Sequence, residues 1–163
     1  MVDERFRNDR EIVLAAVKQN YNELENAGGD FKRDQGVVLE ALRNSSAALQ
    51  YASSDLKENK NFMLEAVSIC GLALKYAGEA LKQDNEVVLA AVRRNGEAVQ
   101  YATASFKQNR GVVLEAVKTN GLALRHAAPS LQEDREIVAA AVKNNGSALQ
   151  YAPHVLKQDP MFS

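Results

Sequence analysis

Apolar residues recur in a fixed pattern along the chain, and the pattern repeats every 25 residues without insertion or deletion. The cleanest copies are Asp84–Ala102 and Asp134–Ala152. Numbering each unit from its leading Phe or Leu puts the starts at Phe6, Phe31, Leu56, Leu81, Phe106 and Leu131, with Leu156 opening an unfinished seventh. Within a unit the apolar positions are 7, 8, 9, 11 and 12, as in Val87, Val88, Leu89, Ala91 and Val92. These spacings are helical, because a strand would alternate. The apolar face is too wide for a helix lying on a surface, so this first helix is sandwiched between neighbours. Valine is a mediocre helix former, and packing has to override its propensity.

The helix boundaries carry their own signals. Position 4 is Asp9, Asp34, Asn59, Asp84, Asn109, Asp134 and Asp159. A short side-chain oxygen there accepts from the free amides of a first turn. Glu11, Glu86 and Glu136 follow two residues later and suit the positive end of the helix dipole. Pro160, directly after Asp159, fits a first helical position. The first helix is therefore expected to start at position 5 and to stop at Asn95-Gly96, Asn120-Gly121 and Asn145-Gly146, with Cys70-Gly71 as a variant. Glycine in the left-handed conformation is the expected terminator. Asn-Gly is also a hairpin signal, but the flanks lack strand alternation. A second, short helix is expected near positions 17 to 23, with small alanines such as Ala98 and Ala102 permitting close approach. A link of about five residues holds Pro129 and Pro153, where no helical amide is needed.

A period of this length signals a stacked array whose single units cannot bury their apolar faces alone. The fold class that follows is all-α: a right-handed or superhelical α-solenoid of six 25-residue helix-turn-helix repeats plus a partial seventh. The units are 6–30, 31–55, 56–80, 81–105, 106–130 and 131–155, then 156–163, all in one array spanning 1–163. The first unit is more polar, with Tyr21, Glu23 and Asn26 in place of Gly, Ala and Tyr, as a terminal cap requires. The last residues either belong to a longer array or cover the sixth unit.

The motif Asp-x-Glu-(Ile/Val)-Val-Leu-x-Ala-Val-x-x-Asn-Gly-x-Ala-Leu-x-Tyr-Ala resembles a family of alanine-rich helical repeats, the domain of unknown function 4116. The resemblance runs from Asn8 to Asp159, is sharpest in Asp84–Ala102 and Asp134–Ala152, and is weakest in the first unit. It implies non-catalytic repeat scaffolding without an agreed ligand, of a kind found in proteins of intracellular bacteria, including secreted effectors, and of giant viruses and protists.

Composition narrows the function classes. Twenty basic and twenty-one acidic side chains leave a net charge of −1, which argues against a dedicated duplex-nucleic-acid binder. With 6% aromatic residues, the core has to come mainly from Ala, Val and Leu. Cys70 is the single cysteine, so no intrachain disulfide forms. No run approaches the roughly 18 apolar residues of a membrane span, and a cytoplasmic or otherwise intracellular location is expected.

No reaction is legible. His126 stands in the tyrosine row at position 21, His154 lies beside Pro153, and neither forms a zinc spacing with Cys70. A Cys70–His126 nucleophile pair would need units two apart to meet. Gly28-Gly29 lacks a phosphate-loop spacing. Glu40, Glu65 and Glu115 form a row whose neighbours Arg43 and Lys118 offer ordinary surface pairing. No cofactor or metal is expected.

Three rows remain as candidate partner-binding surfaces. Position 2 carries Arg7, Lys32, Lys57, Lys82, Lys107 and Lys157, interrupted by Gln132. Position 13 carries Lys18, Arg43, Arg93, Lys118 and Lys143, interrupted by Ser68. Position 21 carries Tyr51, Tyr76, Tyr101 and Tyr151. The cations suit an acidic peptide, an anionic surface or RNA phosphate, or else a solvated face that keeps the array soluble. The tyrosines line a groove or pack between units with a wet edge. The expected function is a scaffold for protein–protein interaction. The alternatives are a structural spacer within a larger protein or complex, and a weak binder of RNA or anionic surfaces through the lysine rows.

Overall fold

The computed structural model describes residues 9–162, so Phe6 and Arg7 lie outside the described residues. The described chain is helical throughout its regular structure, without a strand. Six long helices recur at the repeat period: α1 (Arg10–Gln19), α2 (Gln35–Leu42), α3 (Lys60–Ile69), α4 (Asn85–Arg94), α5 (Arg110–Thr119) and α6 (Arg135–Asn144). Each begins where the sequence expects. Asp84 Oδ1 accepts from the amides of Glu86 (2.9 Å) and Val87 (3.2 Å), and Asp134 does the same for Glu136 and Ile137. Such a cap is worth about 1 kcal/mol.

Every substantial contact joins elements of the same or a neighbouring unit. The chain is therefore an all-α solenoid of tandem units, with an interior that runs along its length. Helix α5 shows the sandwiching directly. Val112 and Ala116 belong to the apolar cluster shared with the earlier units, while Val113 and Val117 belong to the cluster shared with α6. No described helix is long and apolar enough to cross a membrane.

Three local expectations need correction. The second helix is a 3-10 segment at positions 16 to 21, as in Gly71–Tyr76, Gly96–Tyr101, Gly121–His126 and Gly146–Tyr151. The link after it is itself helical. It holds Ser54–Glu58, Leu81–Gln83, Ala104–Lys107, Pro129–Gln132 and His154–Lys157, so every link but the first, which is turn alone, adds a third short segment. Pro129 is the first residue of one such segment and Pro153 caps another, rather than either lying in a non-helical link. The apolar residue at position 1 docks this segment on the core, with Leu56, Leu81 and Phe106 all buried.

The third correction concerns the glycines. No described glycine has positive φ, so none terminates a helix in the left-handed conformation. The residue before it does the turning. Asn95 is extended (φ −155°, ψ 114°), gives its amide to Ala91 O, and accepts from Glu97 N at 3.0 Å to start the 3-10 segment. What requires glycine is the next unit. A Cβ on Gly71 would stand 2.5 Å from the carbonyl oxygen of Ala91, one on Gly96 2.1 Å from that of Ala116, and one on Gly121 2.3 Å from that of Ala141. The glycine leaves a notch, and the long helix of the following unit seats its backbone in it.

This geometry separates two glycines that look alike in sequence. Gly96→Ala forces a backbone contact apart and is expected to destabilise by about 1–3 kcal/mol, as overpacking does. Gly146 has no atom within 4 Å of its Cβ position, so Gly146→Ala should stabilise by about 0.4–1 kcal/mol through the unfolded chain. Urea titration of the two variants checks this, and equal effects would remove the close approach as the reason for the glycine.

Candidate functional site

The three candidate rows sit in different surroundings. The position 2 lysines Lys32, Lys57, Lys82 and Lys107 are half-buried. Lys57 Nζ donates to the carbonyl of Gln50 at 3.1 Å, at the end of the preceding 3-10 segment, and burial pushes its ammonium below the usual lysine range. Gln132 interrupts the row in sequence but does comparable work: its Nε2 donates to Leu124 O at 3.1 Å and Ala127 O at 3.2 Å. An ammonium and an amide are both donors for orphan carbonyls at a helix end. The backbone at this position closes three of the units as well. Ser53 N donates to Lys32 O (2.9 Å), Gly78 N to Lys57 O (2.8 Å) and Ala128 N to Lys107 O (2.9 Å). Lys82 pairs with Glu79 at 2.8 Å, and Lys157 is exposed. Arg7 lies outside the described residues.

The position 13 cations Arg43, Arg93, Lys118 and Lys143 are exposed. Their pairings are long: Arg43 with Glu40 at 3.6 Å, Lys118 with Glu115 at 3.8 Å, and Arg93 across the junction with Glu115 at 3.7 Å. Exposed pairs at such distances hold their side chains weakly. Lys118 and Lys143 flank a shallow open depression with Ala140 and Asn144.

The aromatic row is half-buried at Tyr51, Tyr76, Tyr101 and Tyr151. Tyr51 donates its hydroxyl to Asn22 Oδ1 at 3.3 Å, one unit back. His126 takes the place of a tyrosine in this row and makes the same backward reach, its Nε2 lying 3.1 Å from Glu97 Oε2. Arg125 completes the group. Its Nη2 donates to Glu97 Oε2, and its Nε lies 3.1 Å from His126 Nε2, a nitrogen that accepts from Arg125 or donates to Glu97 according to its tautomer. Hydrogen bonding to Glu97, and then to Tyr151, raises the Arg125 pKa. The Glu97 Oε1 atom is buried without a partner. Asn22, Ala47, Leu72, Leu122 and Ser147 hold the Glu97 position in the other units, so a charged group stands there in one unit. His154 is exposed and Cys70 half-buried. Among the described residues no group of three His, Cys, Asp or Glu side chains converges as metal ligands would.

Two sets of residues at the unit junctions escaped the sequence reading. The position 5 side chain clasps position 4 of the next unit. Arg10 meets Asp34 at 2.8 Å, Lys60 meets Asp84 at 2.8 Å and Glu86 at 2.8 Å, Arg110 meets Asp134 at 2.8 Å and also Glu136, and Arg135 meets Asp159. Where position 4 of the next unit is Asn59 or Asn109, position 5 is Gln35 or Asn85, an amide rather than a cation. That covariation between adjacent copies is the signal in the sequence. At position 14, Asn44 Nδ2 donates to Val17 O (2.9 Å), Arg94 Nε to Ser68 O (2.9 Å) and Asn144 Nδ2 to Lys118 O (2.9 Å). Each satisfies the last carbonyls of the long helix one unit back.

A family model described as Domain of unknown function (DUF4116) matches residues 1–32, 34–82, 59–107, 84–132 and 109–157. The last four matches start at position 4 of successive units. No curated protein and no solved structure matches the chain.

The clasps make stability depend on pH. The hydrogen bond from Arg10, Lys60 or Arg110 holds Asp34, Asp84 and Asp134 below the usual carboxylate range. A carboxylate with a lowered folded pKa stabilises fully above its unfolded value of about 4 and loses that contribution as pH falls through the folded value. Urea midpoints of the wild type are therefore expected to fall between about pH 5 and pH 2. In the triple variant Asp34→Asn, Asp84→Asn, Asp134→Asn, which keeps the caps, the fall should be shallower. A slope unchanged by the three substitutions would place the acid sensitivity elsewhere.

Proposed function

The chain belongs to the family of the domain of unknown function 4116, and from that membership we propose that it is a non-catalytic helical-repeat scaffold that binds another protein. The observation that carries the reading is the exposed row Arg43, Arg93, Lys118 and Lys143, one cation in each of the second, fourth, fifth and sixth units with Ser68 in the third, at the end of the long helices and only loosely paired. A solenoid holds such side chains at regular intervals on a backbone whose neighbours fix it. Cations in that arrangement suit a partner segment with recurring acidic side chains, and the neighbouring position 10 glutamates Glu40 and Glu115 select against a uniformly anionic polymer. The tyrosine row at Tyr51, Tyr76, Tyr101 and Tyr151 supplies a second set of regularly spaced groups, with rings partly sheltered and edges open. The position 2 lysines Lys32, Lys57, Lys82 and Lys107 contribute less to recognition in this reading, because they are half-buried.

Selection of ligands from a displayed peptide library, followed by titration, tests the reading. Selected peptides should be acidic and should lose about tenfold in affinity, or ~1.4 kcal/mol, when Arg93 and Lys118 are both changed to Glu. Tyr76→Ala and Tyr101→Ala serve as the second arm. Failure to select any peptide, or selection of peptides indifferent to both sets of changes, removes the proposal. Tighter binding of single-stranded RNA than of any peptide would replace it with the anionic-polymer reading.

A further inference from the structure

We propose that the junction between the second and third units is a hinge, at which the segment ending near residue 50 and the segment beginning near residue 56 rotate as two bodies. The inference is independent of what the array binds.

Three directional devices recur at the unit junctions: the glycine notch, the clasp from position 5 to position 4, and the position 14 donor. The junction of the third and fourth units has all three, in Gly71, Lys60–Asp84 and Arg94. The junction of the fifth and sixth has all three in Gly121, Arg110–Asp134 and Asn144. The first junction lacks the notch, with Tyr21 at that position, but keeps the clasp Arg10–Asp34 and the donor Asn44. The junction of the fourth and fifth lacks clasp and donor, since Asn85 faces Asn109 and Thr119 bonds to its own helix at Glu115 O. It keeps the notch at Gly96 and adds the ion pair Glu97–Arg125.

The second junction has none of them. Ser46 stands where the notch would be, the clasp pair is Gln35 and Asn59, and Ile69 stands at the donor position. Among the described residues the ion pair nearest to it is Arg33–Asp55, long at 3.7 Å and exposed, which reaches only the segment Ser54–Glu58 at the boundary and not the long helix of the third unit. The consequences are visible in the neighbouring helices. Helix α2 has 8 residues where the other five long helices have 10, and the segment Ser46–Gln50 has 5 where the corresponding segments of the later units have 6. Helices α2 and α3 also pack less extensively than any other adjacent pair of long helices. What joins the two units is apolar contact through residues such as Leu49, Phe62 and Met63, together with Lys57 donating to Gln50 O. Apolar contact is non-directional, so it resists separation while allowing the units to rotate and slide. A notch or a clasp fixes the angle.

The test is a distance distribution from paired spin labels, in a Cys70→Asn background that places the asparagine of the other units at position 15. Labels at Arg43→Cys and Arg93→Cys span the second junction and the one after it. Labels at Arg93→Cys and Lys143→Cys span two later junctions at the same separation in units. The first pair should give a distribution about twice as wide as the second. A tightened protein carrying Ser46→Gly, Gln35→Arg and Asn59→Asp should bring the first pair to the width of the second. Hydrogen exchange on the unlabelled wild type is the second measurement: the last amides of α2 should exchange about tenfold faster than those of α4 and α6. Equal widths for the two label pairs in the otherwise unaltered array overturn the hinge. So does a width that persists in the tightened protein, or equal exchange at the three helix ends.

Discussion

The structure depends on one close approach of backbone to backbone. The carbonyl of Ala91, Ala116 or Ala141 lies where the preceding unit has no Cβ, at Gly71, Gly96 or Gly121. Two side chains must stay small for this, the glycine and the alanine whose carbonyl enters. The rest of the core follows from that spacing. Helices this close leave room for Val and Ala between them but seldom for a large ring, and Ala66, Val67, Ala91, Val92, Ala116 and Val117 are all buried. The low aromatic content is thus a packing consequence, and the tyrosines that are present stand at the half-buried edge.

A second constraint comes from building an array out of short helices. An α-helix leaves four amides and four carbonyls unsatisfied at its ends, and in a helix of 10 residues these are about two-fifths of its polar backbone groups. The array satisfies the amides locally, with Asp or Asn at position 4. It satisfies many of the carbonyls from the next unit, with Asn44, Arg94 and Asn144 for the long helices and Lys57 and Gln132 for the 3-10 segments. A unit removed from its neighbours loses its apolar cover and its hydrogen-bond donors together. Stacking is therefore cooperative for polar as well as apolar reasons.

Much of this was legible in the sequence. The period, the starts of the long helices and the sandwiched apolar face follow from residues such as Asp84 and Val87–Val92, because those signals are local. The glycine illustrates what is not local. Asn-Gly after a helix reads equally as a left-handed stop or as an extended residue followed by a notch, and only the next unit, 20 residues on at Ala116 for Gly96, decides between them. The helical link escaped for a related reason. Segments of four residues such as Ala104–Lys107 carry too little periodicity to register, and they persist because one buried side chain, Phe106, docks them. The clasps were hidden by treating position 4 as a cap alone, when its second carboxylate oxygen serves the unit before it.

The candidate surface looks different once the junctions are accounted for. A repeated cation does not indicate recognition merely because it repeats, since a solenoid repeats its structural parts with equal regularity. Lys57 and Gln132 share a row because both donate to carbonyls, and charge is incidental to that work. Position 13 differs in kind. Arg43, Arg93, Lys118 and Lys143 satisfy no backbone group that would hold them, their carboxylate partners lie beyond ordinary hydrogen-bonding distance, and they extend into solvent. Side chains that the stacking does not require are free to vary with a partner, and a row of them carried across a loosened junction presents its spacing over a range of angles. In this array, adaptability of the surface and economy of the junction devices meet at the same place, the boundary between α2 and α3.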